Sequence, residues 1–194
     1  MLNSLLETGR SEAGSFYCCR FQPAKAAYVI LMDALETIGG DICEELGTCS
    51  EKREGLELLS SHGIFLDIAP QVSDVQMYQD ETKFAQIIGN LIKNALHHRK
   101  ERIEIKVDIK KDHLIVDVID DGPGIDPEHH QVIFQRYKQV KESSASQRRG
   151  HGLGLAGALI MTRSLGGDIE LKSKKGKGAT FRLILPVSFK SDGE

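Results

Sequence analysis

Four polar side chains, Gln86, Asn90, Asn94 and His97, recur at intervals of three and four in DETKFAQIIGNLIKNALHH. At about 100° per residue they form a helical stripe on the order of 130° from the stripe of apolar residues. A carboxamide oxygen is a hard, neutral ligand for Mg²⁺, which takes one or two protein groups and completes its octahedron with phosphate and water. Asn94 fits that role; a solvated face carrying Asn by chance is the plain alternative. Further along, LIVDVI runs into DDGPGI. A carboxylate at a strand's end, here Asp120, can accept a hydrogen bond from a donor such as an adenine amine. Gly122 and Gly124 have no Cβ and let the backbone approach a flat ring or take positive φ. The same residue types also make an ordinary tight turn. A second Gly-rich stretch, RRGHGLGLAGALI, leads straight into an amphipathic helix, whose first N–H groups suit phosphate. Between the loops, IFQRYKQVKESSASQRRG is too polar to pack well and reads as a lid, from which Arg136, Lys138, Arg148 or Arg149 can reach phosphate oxygens.

These groups need elements to hold them. Asp80 can cap the helix that carries the stripe, with Glu81 in its first turn and Phe84, Ile87, Ile88, Leu91, Ile92 and Ala95 on one buried face. An earlier helix over 24–38 buries Ala27, Ile30, Leu31, Ala34, Leu35 and Ile38 and stops at Gly39 and Gly40. Residues 41–55 carry no firm period, and a second helix runs from about Ser50 to Ser61. GIFLDIAP alternates as a strand ended by Pro70, and IEIKVDIK and LIVDVID make a hairpin about Lys111, Asp112 and His113. A helix from about Leu153 to Leu165 buries Leu155, Leu159 and Thr162 or their neighbours. DIELKS and ATFRLILPV form a second hairpin, whose Lys172, Lys174, Lys175 and Lys177 read as a solvated turn. Strands near 63, 103, 114, 168 and 179 with helices near 24, 80 and 153 give a two-layer α+β domain, a mixed sheet with helices on one face.

Composition narrows the function. The chain has 194 residues, 40% of them hydrophobic, enough for one good core. Twenty-five basic residues against 28 acidic ones give a net charge of -3, which disfavours a nucleic-acid partner. No apolar run is long enough to span a bilayer and no signal segment opens the chain, so the expected location is the cytoplasm, with membrane anchorage of a longer parent left open. Cys18, Cys19, Cys43 and Cys49 lack metal-site spacing and read as reduced thiols.

Taken together and in this order, NLIKNALHH, DDGPGI, IFQRY and GHGLGL resemble the asparagine box, first glycine box, phenylalanine box and second glycine box of the catalytic domain of bacterial histidine kinases. The resemblance covers about residues 63–187. It implies a Bergerat-type α/β sandwich, shared with type II topoisomerases, mismatch-repair ATPases and large heat-shock chaperones, that binds ATP and Mg²⁺. On this resemblance Asn94 holds the metal, Asn90 lies beside the phosphates, and His97 stands where Lys is usual. Asp120 reads the adenine amine, Gly122, Gly124 and Ile125 shape the base pocket, and Thr180 sits behind the adenine. Phe134, Arg136 and Tyr137 belong to the lid, and Gly150, His151, Gly152, Leu153, Gly154 and Leu155 wrap the phosphates. Asn90, Asn94, His97 and Arg136 are the expected catalytic set.

Relatives that hydrolyse ATP alone place a Glu one turn before the metal-binding Asn, as general base. Here that position is Asn90, which points to phosphotransfer. No HExxxP-like box is present; His62, His113, His129 and His130 have ordinary places at a strand start, a hairpin turn and a short exposed helix. LLETGRSEAG at 5–14 resembles the end of a dimerisation helix, so residues 1–22 read as the remnant of that helix and a linker, 23–189 as the catalytic domain and 190–194 as a tail. Implied partners are a histidine-bearing dimerisation domain of the same protein and a response-regulator receiver domain, with the piece monomeric and the parent a homodimer. Other readings are a serine kinase of the anti-sigma-factor type, a catalytically silent ATP-binding module and, weakest, an ATPase chaperone or topoisomerase.

Overall fold

In the computed structural model of the chain, residues 17–38, 41–49, 51–135 and 154–188 are described. The elements in chain order are β1 (Cys18–Phe21), α1 (Pro23–Ile38), α2 (Asp41–Leu46), α3 (Lys52–Ser61), β2 (Ile64–Ile68), β3 (Met77–Asp80) and α4 (Glu81–His98). Then come β4 (Ile103–Lys110), β5 (His113–Asp120), α5 (Gly154–Ser164), β6 (Asp168–Ser173) and β7 (Ala179–Pro186), with single 3₁₀ turns at Pro70–Val72, Pro127–His129 and Val132–Phe134. The main sheet is ordered β2-β4-β5-β7-β6; β2 runs parallel to β4 and every other pair is antiparallel. It is the mixed sheet that the strand pattern predicts, in an α+β architecture.

Each strand has one face for the core. Ile103, Ile105 and Val107 of β4, Leu114, Val116 and Val118 of β5 and Phe181, Leu183 and Leu185 of β7 are buried against the helical layer. The other face carries a row of charges that alternates in sign across all five strands: Asp67, Lys106, Asp117, Arg182 and Glu170 lie in register. Arg182 holds Asp117 through two bonds of 2.7 and 2.8 Å, a forked geometry that gives such pairs their strength. A face so charged has no use for a second helical layer, which is why the domain has two layers.

Helix α4 is the spine of the helical layer. Asp80 caps it, its carboxylate accepting from the Lys83 N–H at 3.0 Å. Phe84, Ile87, Ile88, Leu91, Ile92 and Ala95 are all fully buried, the six residues that the periodicity singles out. Helix α5 packs against it more closely than expected: Ala156, Ala158 and Thr162 face inward, while Leu155 and Leu159 are half-buried at the flanks. Small residues let the two helices approach.

Three further differences have physical reasons. Strands β1 and β3 were not expected, since four residues such as CCRF show no alternation to read. Yet β1 pairs antiparallel with β3, Cys18 opposite Asp80 and Phe21 opposite Met77, and the Phe21 ring lies 5.0 Å from that of Phe84. Cys18 and Phe21, placed in a linker by the expected boundary at 23, are therefore part of the core. The small sheet is fastened to the end of β7, where the Tyr78 N–H donates to the Val187 carbonyl and the Gln79 amide to that of Pro186, both at 2.9 Å. The unreadable 41–55 stretch holds α2 and the start of α3, and Ile38 is exposed at the end of α1.

Asp80 joins these parts, because its second oxygen accepts from the Tyr17 N–H at 3.3 Å. Asp80→Ala removes the cap and the tether together and should destabilise the domain by about 1–2 kcal/mol. A lowered urea midpoint at unchanged m checks it, and Asp80→Asn, which keeps one acceptor oxygen, should recover the cap but not the tether.

Candidate functional site

The buried face of α4 fixes where the polar stripe points. Asn90 and Asn94 are half-buried and Gln86 and His97 exposed, on the side away from the core. Gly154, from the second glycine stretch, and the first glycine loop both meet this helix, at separate points along it. At one point, Gly154 opens α5 so close to α4 that a Cβ on it would stand 3.9 Å from the Asn90 side-chain oxygen. At the other, a Cβ on Gly122 would collide with the His98 carbonyl and lie 2.7 Å from Asp120 Oδ1. Eight residues of helix separate these contacts, or ~12 Å at ~1.5 Å per residue. A groove of 440 Å³, lined in part by Asp33, Gln86, Asn90, Lys93 and Met161, also reaches Asn90 from the side of α1. A larger groove of 540 Å³ lies by β1 and touches none of the stripe, so volume alone does not find the site.

Asp120 ends β5 with its carboxylate 5% exposed, Oδ1 accepting the Gly122 N–H at 2.9 Å. Burial pushes its carboxyl above the usual carboxylate range, and hydrogen bonds from the Gly122 and Ala179 backbone only partly offset this. Its neighbour Asp121 behaves in the opposite way. Burial would raise it too, but backbone hydrogen bonds around Arg102, Lys100 and Glu101 hold it below that range. Its oxygens accept from the Lys100 N–H at 2.8 Å and the Glu101 N–H at 3.1 Å, tying the first glycine loop to the chain leaving α4.

Gly124 takes φ +69° beneath the Lys174 carbonyl, and Gly178 takes φ +74° against the Asp120 carbonyl. The β6–β7 turn is thus folded onto the first glycine loop rather than standing free in solvent: Lys175 pairs with Asp126 at 2.9 Å, and the Gly176 N–H donates to the Pro123 carbonyl. Ile125 and Phe134 pack at the edge of the core, the Phe134 ring edge-on to Phe181 at 6.3 Å. His130 meets the Ile125 carbonyl at 3.1 Å.

One expected position shifts by a residue. Thr180 pairs with Ile119, and both lie on the far side of the sheet from Asp120, because facing residues of antiparallel strands share a face and neighbours alternate. Ala179 is the residue opposite Asp120. Its methyl has no chemistry to signal a site; only the register reveals it. Asp121 was given no role by the sequence reading, and its bonds to the Lys100 and Glu101 N–H groups appear only in the structure. Arg136, Tyr137, Gly150, His151, Gly152 and Leu153 lie outside the described residues, as does LLETGRSEAG. Among the described residues, the one cluster able to hold a metal is Asp126, Glu128 and His129, and Lys175 already occupies its Asp126. Cys18, Cys19 and Cys49 are free thiols, and no described helix is long and apolar enough to cross a membrane.

A two-layer domain with an amide-bearing helix that meets a glycine loop at one end and the glycine start of α5 further back, and a buried carboxylate at a strand's end, is built to hold a nucleotide. Residues 79–188 match the family described as histidine kinase-, DNA gyrase B- and HSP90-like ATPase, and the chain belongs to that family. It is 27% identical over 194 residues to the autoinducer 2 sensor kinase/phosphatase LuxQ of Vibrio parahaemolyticus, covering 96% of this chain and 20% of that protein. It is 37% identical over 109 residues to the sensor protein SrrB of Staphylococcus aureus, covering 55% of this chain and 19% of that protein. The chain thus spans about a fifth of the length of the curated relatives it matches. In fold it is similar to the catalytic domain of histidine kinase ThkA, with a TM-score of 0.64 at 19% identity, covering 88% of this chain and 96% of that one. A mycobacterial sensor histidine kinase, MprB, gives 0.57 at 19% identity, covering 82% and 93%. The chain is an ATP-binding catalytic domain of the histidine-kinase type.

The glycines separate fold from site. Gly124 and Gly176 both need positive φ, but a Cβ meets backbone only at Gly124. Gly176→Ala should cost only the left-handed strain, ~1–2 kcal/mol. Gly124→Ala should cost more and also weaken ATP binding, as thermal melts and calorimetry would show. For Asp120, a raised pKa means that the ionised acceptor is lost as pH falls, earlier than for an ordinary carboxylate. Adenosine affinity should drop over that interval, and Asp120→Asn should flatten the profile; adenosine keeps phosphate titration out of the reading.

Proposed function

We propose that this domain holds Mg-ATP along α4 and presents its γ-phosphate to a histidine on a dimerisation domain of the same protein, from which a response-regulator receiver domain then takes the phosphoryl group. The observation that carries this is the placement of Gly154 beside Asn90 and of the first glycine loop against the far end of the same helix. The donors fit the ligand. Neutral amide oxygens of Asn94 and Asn90 suit a hard cation that keeps phosphate and water ligands, and a buried carboxylate at Asp120 suits the adenine amine. When bound, Mg²⁺ neutralises charge on the phosphates; the chain's own work is positioning. Asn94 holds the cation, Asn90 orients the phosphates beside the start of α5, and Asp120 fixes the base against Gly122 and Ala179.

Asn90 has no basic lone pair with which to activate water, so the domain retains ATP rather than hydrolysing it. Relatives named as sensor kinase/phosphatases support the histidine reading over the serine-kinase alternative. A longer parent could place this domain at a membrane, in line with the sensor roles in the relatives' names.

Calorimetry on wild type, Asn94→Ala and Asp120→Asn tests the site. We expect Asp120→Asn to weaken adenosine and ATP alike, and Asn94→Ala to weaken ATP only when Mg²⁺ is present. Each loss should be about tenfold or more, the scale of one charge-assisted contact. Equal affinity in all three proteins would remove the site. The same preparation should release phosphate slowly and leave itself unlabelled by γ-³²P-ATP.

A further inference from the structure

The last residue of β6, Ser173, lies in none of the nucleotide motifs, yet it is bonded to two of the segments that form the base end of the site. Its hydroxyl accepts the Ile125 N–H at 2.8 Å and donates to the Gly178 carbonyl at 2.7 Å. A serine hydroxyl has one proton to give and lone pairs to accept with, and here both functions are engaged. Ser173 also stands in the same cross-strand row as the buried carboxylate, since it pairs with Ala179 and Ala179 pairs with Asp120. Ile125 closes the first glycine loop, and Gly178 lies where a Cβ would collide with the Asp120 carbonyl.

We infer that Ser173 is a positioning residue for nucleotide binding, a single hydroxyl that locks the first glycine loop and the β6–β7 turn into the shape the adenine requires. The inference rests on the nucleotide reading above. Other contacts join the same segments, among them the Lys175–Asp126 ion pair and the Gly176–Pro123 bond, but the ion pair is two-thirds exposed on its lysine side and holds the outer rim. Salt-screened surface pairs fix geometry weakly. Ser173 is half-buried and acts nearer the carboxylate. Without it, Gly124 and Ile125 lose their inner attachment, the loop samples other shapes, and binding must then restore the one that fits.

The test uses Ser173→Ala, Ser173→Thr and Ser173→Cys in the full chain, with adenosine and Mg-ATP affinities from calorimetry and the thermal midpoint of each variant. Ser173→Ala should weaken adenosine and ATP by the same factor, about tenfold, the scale of one or two neutral hydrogen bonds. Ser173→Thr keeps the hydroxyl and should stay within about threefold of wild type. Ser173→Cys, with a weak donor and acceptor, should fall between. An Ala variant that melts lower but binds adenosine as wild type does would overturn the role, leaving Ser173 a stabilising residue only. Equal losses in Ala and Thr would also overturn it, by showing that shape and not the hydroxyl matters. If Ser173→Ala does not fold, a Cys variant that binds as well as Thr overturns it and one that binds less tightly upholds it. A wild-type chain that binds neither ligand refutes the nucleotide reading itself, and this inference with it.

Discussion

Six apolar side chains on one face of α4 leave that helix no freedom to rotate. With Phe84, Ile87, Ile88, Leu91, Ile92 and Ala95 wholly buried, any turn about the axis would expose apolar surface, at about 25 cal/mol for each Å². The polar stripe is fixed as a consequence, and so are the directions of Asn90 and Asn94. The helix is anchored along its length as well. Asp80 caps its start and ties it to β1, and at its far end Asp121 takes the N–H groups of the chain that leaves it. The core thus acts as the jig for the site.

The strand side has a matching constraint, set by register. Asp120, Ala179 and Ser173 form one row across β5, β7 and β6. Small residues in that row leave space beside the carboxylate, and glycines at 122, 124 and 178 let three stretches of backbone crowd together where a Cβ would strike a carbonyl. The result is a rigid frame around a deliberately costly group: a carboxylate held out of water, compensated only in part by backbone donors. Such a group is stabilised further by a ligand that brings its own donor. The far face of the sheet is spent on alternating charges, which leaves the helical side as the place for chemistry.

The sequence was legible where one physical signal dominated. In α4 the periodicity, the cap and the stripe coincide, and the structure agrees residue for residue. Strand β4 alternates strictly, and the structure pairs it with β5 as the expected hairpin. Legibility failed where elements are short or where packing, not pattern, decides. Strands β1 and β3 are four residues each and exist because they pair with one another and with the end of β7. In α5 the inward face was read only as Leu155, Leu159 and Thr162 or their neighbours, and packing settles it on Ala156, Ala158 and Thr162. Thr180 was placed behind the adenine on the family resemblance alone, but a one-residue step along a strand changes the face, and only the pairing with β5 puts Ala179 opposite Asp120. The clamp at Ser173 is of the same kind, a tertiary bond with no local signature.

The amide at position 90 has a consequence for the choice of nucleophile on the proposed reading. Water and a serine hydroxyl must give up a proton as they attack phosphorus, and a site serving them needs a base within hydrogen-bond reach. A neutral imidazole already carries an available lone pair on one ring nitrogen, and at neutral pH most of it is in that form. A domain that supplies positioning and charge neutralisation without a base therefore favours imidazole over hydroxyl nucleophiles by its own chemistry. The missing carboxylate on α4 is in this sense a specificity element: it keeps ATP from water while the phosphoacceptor domain is away, and it asks of that domain only that a histidine arrive in line with the γ-phosphate.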